Sequence, residues 1–322
     1  MRHALALAIC LACSPSVVTA VDVTSCGQTI PAGETGVLQS DLDCSGTGSY
    51  AVRLLRRATL DLNAHSLSGG PVSATVDGAA SADGSGASSF TIRGPGVIAG
   101  TAVDAFPFES GNACVLLRGG RATLTSETGV IDIHGCERGI VGLAAGANPS
   151  ARVHMDHVDV HHNFQDGTSL RTLIASDVSA HHHARGAGLF AMRLFVENVS
   201  ASDNNVGLAG ERVVEGGSVT VVSNVGPNPN AAGGDGIYGG RLIRLTNAVV
   251  QDNQNPGVTS RRVYLTDSTV TNNGLGPTHP MVDILAASRP VLVNTTCLHS
   301  EVYADASPVP PTYPDWGVCQ DD

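Results

Sequence analysis

The sequence contains no lysine, few aromatic residues and few charges. All 18 basic residues are arginines, so mechanisms that need a lysine base or a lysine Schiff base are excluded. Aromatic residues make up only 4% of the chain, which disfavours a conventional sandwich core, and a charged fraction of 15% disfavours disorder. The net charge of −11 disfavours nucleic acids and anionic membrane surfaces as partners.

No apolar run reaches the length of about 20 residues that a transmembrane helix needs, and this includes the run at the N-terminus. There Arg2 is followed by apolar residues 4–12 and by Val18-Thr19-Ala20, a small-residue cleavage pattern. We therefore predict a signal peptide over residues 1–20 and a secreted or periplasmic protein. A lipoprotein signal at Cys13 is the alternative, and it would place the protein at the cell surface.

Cleavage after Ala20 would leave six cysteines in three sequential couples, each about twenty residues apart. An exported protein meets an oxidising compartment, and these six cysteines show no C-x-x-C spacing typical of zinc sites. We expect three local disulfides, although six cysteines allow 15 pairings. The couples are Cys26 and Cys44, Cys114 and Cys136, and Cys297 and Cys319.

A repeat of about twenty residues is the strongest pattern in the chain. A polar anchor lies between two short segments in which apolar residues alternate, and alternation places their side chains on one face of a strand. One such coil cannot bury these side chains, whereas stacked coils can. The repeat therefore predicts an all-β, right-handed parallel β-helix in a single domain. The anchors are His157, Asp177, Asn198, Asn247, Asp267 and Asn294.

Two further columns accompany the anchors. Six residues after an anchor stand Asn163, His183, Asn204, Asn253 and Asn273. Side-chain amides at the strand spacing predict a hydrogen-bonded asparagine ladder. Glycines follow the second strand at a nearly fixed offset, and they predict corners that need positive φ. These glycines are Gly167, Gly186, Gly207 and Gly257.

This pattern resembles the pectate-lyase-like β-helix superfamily with its generic parallel β-helix repeats. The resemblance covers about residues 50–300. It implies the fold well and a specific activity poorly. We expect an N-terminal cap tied by a disulfide over 21–50, the β-helix over 51–300 and a proline-rich C-terminal cap over 301–322. The superfamily implies polysaccharide as the ligand class, and its lyases imply an arginine or lysine base with Ca²⁺.

Histidines gather in the middle coils and form the first candidate site. His161 and His181 follow their anchors by four residues, and His162, His182 and Asp203 follow theirs by five, so coil stacking places them about 5 Å apart. Such spacing allows a catalytic histidine–carboxylate relay, joined by the nearby Arg185, or a shared metal. The alternative is a solvated corner that tolerates any small polar residue.

Arginines form the second candidate site, five or six residues before the anchors. They could bind the carboxylates of an extended uronic-acid chain through bidentate contacts. The alternative is a solvated corner where each arginine pairs with an acid such as Glu197 or Glu211. The predicted substrate-binding arginines are Arg152, Arg171, Arg193, Arg241 and Arg262, with Arg212 and Arg289 in related positions.

Three functions follow as hypotheses. The first is a lyase or epimerase acting on an extracellular acidic polysaccharide, in which a base removes the proton beside a carboxylate and a cation stabilises the enolate. The second is a non-catalytic binding solenoid, and the third is a periplasmic metal-handling β-helix. No catalytic motif of the superfamily matches residue by residue. No metal ligand set is identified, Ca²⁺ is the one candidate cofactor, and we expect a monomer.

Overall fold

The computed structural model describes residues 20–46, 48, 50–69, 74–79, 88–100, 112–143, 151–226, 233–276, 281–302 and 314–320. The predicted signal peptide, except Ala20, lies outside the described residues, and so does most of the predicted C-terminal cap. No helix among the described residues is long and apolar enough to cross a membrane.

The described chain forms strands that pair in parallel. They are β1 (Ala20–Val23), β2 (Gln28–Ile30), β3 (Thr35–Leu38), β4 (Leu42–Asp43), β5 (Tyr50–Leu54), β6 (Thr59–Asp61), β7 (Ser66–Ser68), β8 (Ala74–Gly78), β9 (Ser88–Arg93), β10 (Gly96–Ala99), β11 (Ala113–Leu117), β12 (Gly120–Thr125), β13 (Ile131–His134), β14 (Arg138–Gly142), β15 (Arg152–His161), β16 (Thr168–His181), β17 (Ala187–Ser202), β18 (Val206–Val222), β19 (Ile237–Gly239), β20 (Leu242–Gln251), β21 (Val258–Ser260), β22 (Val263–Thr266), β23 (Thr269–Thr271), β24 (Ile284–Ala286), β25 (Val291–Val293), β26 (Thr296–Cys297) and β27 (Ser300–Val302).

Each coil contributes three strand segments, which build three faces of the helix. In one middle coil the first face runs over 152–156, the second over 158–161 and the third over 168–170. Each segment pairs in parallel with its equivalent in the next coil, so that Val153 lies opposite Leu173 and Val158 opposite Val178. The chain is a right-handed parallel β-helix, which confirms the predicted fold class.

The same ladders extend to both ends of the described chain. The segment predicted as an N-terminal cap, 21–50, carries β1–β4, and these strands pair in parallel with later ones. At the other end β24 pairs with β27. All three predicted disulfides are confirmed, since Cys26 is bonded to Cys44, Cys114 to Cys136 and Cys297 to Cys319.

The anchors turn the chain between the first and second faces. His157, Asp177 and Asn198 have φ of 55°, 52° and 52°, a left-handed conformation that histidine, aspartate and asparagine adopt more readily than most residues. Because this turn separates two strands of alternating pattern, Val153 and Val158 both point inward and are at most 2% exposed. The polar anchor of the repeat is therefore a requirement of the backbone.

The glycines that follow the second face have a different explanation from the predicted one. Gly167 and Gly207 do not have positive φ. A Cβ at Gly167 would clash with the carbonyl oxygen of Gly188, and a Cβ at Gly207 would clash with that of Gly236. The prediction of positive φ was wrong, because the close approach of the next coil, and not the local turn, requires glycine here.

The predicted asparagine ladder is confirmed, and it lies buried after the second face. At four successive links, the side-chain oxygen of one member accepts the backbone N–H of the preceding member at 3.0–3.2 Å. Asp283 closes the ladder by accepting from the backbone and side chain of Asn273 at 3.1 and 3.0 Å. The ladder members are Asn163, His183, Asn204, Asn224, Asn253 and Asn273, each at most 1% exposed.

Candidate functional site

Five histidines come together where the second face ends, and we call them the histidine cluster: His134, His161, His162, His181 and His182. Parallel pairing brings the first column together, since His134 lies opposite His161 and His161 opposite His181. The rings of His161 and His181 stack at 4.9 Å between centroids, with an interplanar angle of 5°. The coil spacing, and not a loop, therefore positions these rings.

His162 and His182 form a second stack one residue further along the chain. Their centroids are 4.7 Å apart, and both residues sit in left-handed corners with φ of 48° and 59°. Each ring lies edge-on to the histidine that precedes it, at 5.0 Å for His161 and His162. The corner conformation thus turns consecutive imidazoles toward each other instead of toward opposite sides of a strand.

Two carboxylates hold the inner histidines. Asp132 Oδ1 lies 2.8 Å from His161 Nε2 and 2.7 Å from His134 Nδ1, and Asp159 Oδ1 lies 3.2 Å from His181 Nε2. Within each coil the paired histidines contact each other through Nδ1 atoms 2.7 Å apart. The geometry forms two parallel chains, each running from a carboxylate through an inner imidazole to an outer imidazole.

These two series of hydrogen bonds determine which ring nitrogen of each histidine carries a proton. An inner histidine that donates from Nε2 to a carboxylate must, when neutral, accept at Nδ1. The outer histidine then donates from its Nδ1, and its Nε2 keeps a free lone pair. His162 and His182 are exposed, so these lone pairs are accessible to solvent.

The charges in the cluster follow the same geometry. Desolvation on its own would raise the pKa of Asp132, but the hydrogen bonds and charges of His134 and His161 outweigh it and lower that pKa. The hydrogen bond to Asp132 in turn raises the pKa of His134. Desolvation and the neighbouring His182 and His161 lower the pKa of His162. The surroundings therefore favour a positive charge at His134, on the inner edge of the cluster, and disfavour one at the outer imidazole of His162.

His183 lies directly beneath the cluster, inside the ladder. Its Nε2 is 3.1 Å from the carbonyl oxygen of Val160, which is the contact that the side-chain amides make in other coils. Burial lowers the pKa of His183 to about 4, so the ring is neutral in the folded protein near pH 7. His183 thus replaces an amide structurally and has no accessible nitrogen.

The two remaining residues of the predicted catalytic set lie nearby. Asp203 is exposed and follows His182 in the next coil, in the same left-handed corner. Arg185 lies on the loop toward the third face, with its guanidinium 4.9 Å from the centroid of the Phe164 ring. Asp203 extends the outer histidine column, while Arg185 packs on an aromatic ring beside it.

Arginines line a different corner, where the third face turns into the first. We call Arg121, Arg152, Arg171, Arg193, Arg212, Arg241 and Arg262 the arginine strip; all seven are exposed. The strip consists of two adjacent columns. Arg121 and Arg152 lie opposite each other, whereas Arg171 precedes Thr172, the residue opposite Arg152. The strip crosses seven coils, about 29 Å at 4.8 Å per coil.

Four members of the strip converge on a small cavity of ≈ 70 Å³, lined by Arg152, Arg171, Arg193 and Arg212 with Thr172 and Met192. Within the described ranges none of the seven strip arginines forms an ion pair. Carboxylate partners are instead found at Arg53 and Arg118, which share Asp77, and at Arg244, which pairs with Glu215. Glu197 and Glu211, the acids expected as partners of the strip, form no ion pair with its arginines in the part of the chain that the structure describes.

The two sites do not border one groove. Arg152 and His161 begin and end the same ten-residue strand, β15, so the whole of the first and second faces lies between them. In the other direction, from His162 to Arg171, the third face intervenes. The histidine cluster and the arginine strip are therefore separate sites, and one compact active site cannot contain both.

Sequence reasoning passed over Asp132, Asp159 and Arg121. The first two stand two residues before His134 and His161, and side chains two residues apart share a face of a strand, so their spacing was a readable signal. Arg121 lies in an earlier coil whose anchor is less regular.

A separate cavity of ≈ 340 Å³ near Met281 and Leu298 lies beside the C-terminal end of the ladder, away from both sites.

No family model matches this chain, and neither curated proteins nor solved structures show a significant match to it.

Proposed function

We propose that this protein is a secreted β-helix that binds an acidic polysaccharide along the arginine strip. The observation that carries the proposal is a row of exposed arginines without carboxylate partners in the described structure, on a chain with 29 acidic residues. Like charges stacked in neighbouring coils destabilise a fold. We expect a protein to keep this loss of stability where the charges bind a ligand.

A linear polyanion fits the shape of the strip. The coil spacing of about 5 Å is close to the length of one sugar in an extended uronic-acid chain. Guanidinium groups hold carboxylates through paired hydrogen bonds, and Thr172 adds a hydroxyl beside Arg152 and Arg171. The strip could therefore engage about six sugars of a chain that runs along the helix axis, at one coil per sugar.

Binding without cleavage is the activity that the geometry supports best. A lyase or epimerase would need a base and a carboxylate-stabilising cation at the same sugar. Here the histidines and the strip are separated by a full face of the coil. The resemblance to the pectate-lyase-like superfamily supports polysaccharide as the ligand class, and the three disulfides support an oxidising, extracellular or periplasmic location.

Calorimetric titration with a hexauronate tests this function. We expect micromolar binding that weakens steeply between 50 and about 200 mM salt, because ion pairs with several arginines release counterions. A neutral hexasaccharide should not bind, and absorbance should reveal no unsaturated product. Equal binding of the neutral sugar, or tighter binding of a single-stranded oligonucleotide of equal charge, would contradict the proposal.

A further inference from the structure

The histidine cluster has an arrangement that the binding of a polysaccharide at the strip does not explain. Ligand atoms of His162, His181 and His182 all lie within 4.8 Å of one another. Nitrogen ligands bind Zn²⁺ at about 2.0–2.1 Å, so two nitrogens on one ion are separated by at most about 4.2 Å. Small side-chain rotations are therefore enough to bring all three imidazoles onto one ion.

The Nδ1 atoms of His181 and His182 are already close to the required positions. Their separation is 2.7 Å, and two adjacent ligands at right angles on an ion at about 2.05 Å would be separated by about 2.9 Å. One of these atoms must carry a proton while the other accepts it. A metal ion would take the place of that proton and accept both lone pairs, with the proton moved to His182 Nε2 so that the ring stays a neutral imidazole.

Asp159 orients the central ligand. Its Oδ2 accepts from His181 Nε2 at 3.5 Å and its Oδ1 lies 3.2 Å from the same nitrogen, which leaves Nδ1 of that ring as the coordinating atom. A carboxylate behind a coordinating imidazole fixes its tautomer and raises its basicity, as metal sites commonly require. The ring of His162 stacks on that of His182 at 4.7 Å, so the third ligand comes from the neighbouring coil.

We propose that His162, His181 and His182 form a binding site for a divalent transition-metal ion such as Cu²⁺ or Zn²⁺. Imidazole ligands suit these ions, whereas Ca²⁺ and Mg²⁺ prefer oxygen. The three side chains are exposed or only partly buried, so one face of the bound ion stays open to water. Asp203 follows His182 in the outer column, one coil further along the helix, and is exposed.

The test is a titration of the untagged protein with Cu²⁺ alone and Zn²⁺ alone, followed by calorimetry and, for Cu²⁺, by electron paramagnetic resonance. We expect one site of micromolar or tighter affinity with a nitrogen-rich spectrum. His182→Ala should weaken binding at least tenfold, and so should His162→Ala. Asp159→Asn, which keeps the side-chain size, should weaken it less.

His154→Ala is the matched control, since His154 is equally exposed but lies on the first face. It should leave metal affinity unchanged, and circular dichroism identifies any variant that fails to fold. If His182→Ala unfolds the protein, His182→Gln provides the same loss of a ligand with less loss of volume. Equal affinity of the wild type and the His162 and His182 variants, or no binding below 100 micromolar, would overturn the proposal.

Discussion

Replacing Asn224 with alanine should lower the free energy of unfolding by about 3–5 kcal/mol. Asn224 is fully buried in the ladder, where its Oδ1 accepts from Asn204 N at 3.0 Å and its Nδ2 donates to Asn253 Oδ1 at 2.8 Å. Alanine leaves the Asn204 N–H buried and unpaired and creates a cavity. Both effects act in the same direction, so the loss is larger than that of one ordinary hydrogen bond.

Urea unfolding followed by circular dichroism measures this change. The control is Asn198→Gly at an exposed anchor, where Asn198 has φ of 52° and donates to Asp177 at 3.2 Å. Glycine tolerates the left-handed conformation, so we expect a loss of no more than about 1 kcal/mol. Similar losses for the two variants would show that the buried ladder is not a principal source of stability.

Reversing two charges in the arginine strip should weaken hexauronate binding roughly 100-fold or more. Each charge-assisted contact contributes about 1.5 kcal/mol, and about 1.4 kcal/mol corresponds to a tenfold change in affinity. The variant is Arg152→Glu with Arg193→Glu. Both residues line the small cavity of the strip, and neither has a carboxylate partner among the described residues. Folding should be unaffected or slightly improved, because the stacked positive charges repel each other.

The matched control for charge reversal is Arg93→Glu. Arg93 is also exposed, but it ends β9 at the far edge of the first face, away from the strip. It should reduce affinity less than threefold through the change in net charge alone. Calorimetry at constant salt measures both variants. Because the strip variant reverses two charges and the control one, a loss of binding free energy no more than twice that of Arg93→Glu would show that net charge, and not the strip, determines binding.

The fold was readable from the sequence because the anchor and ladder positions each impose a strict chemical requirement. A left-handed corner favours asparagine, aspartate or histidine, and a buried column that repeats once per coil requires polar side chains that can hydrogen-bond to the backbone of neighbouring coils. Asn224 was not predicted because its coil has Ser218 at the anchor position and one extra residue on β18, where Ala191 and Arg193 lie opposite Gly210 and Val213. A coil with such an irregularity is hard to recognise in the sequence, although the structure shows that it belongs to the same repeat.

The candidate sites were less predictable. Column membership placed His161, His162, His181 and His182 together, as the structure does, and gathered the arginines at one corner. The carboxylate partners of the histidines were not predictable, because the hydrogen bonds that link Asp159, His181 and His182 depend on how the imidazole rings are oriented at a corner. The separation of the two sites depends on how many strand residues lie between corners, and a repeat length alone does not give that number.

A crystal structure of the protein with bound hexauronate tests the central claim most directly. We expect the sugar chain to run along the helix axis, with its carboxylates against Arg152, Arg171, Arg193 and Arg212 and about one sugar per coil. Sugar density at the histidine cluster, or a chain that crosses the faces without contact to the strip, would contradict the account.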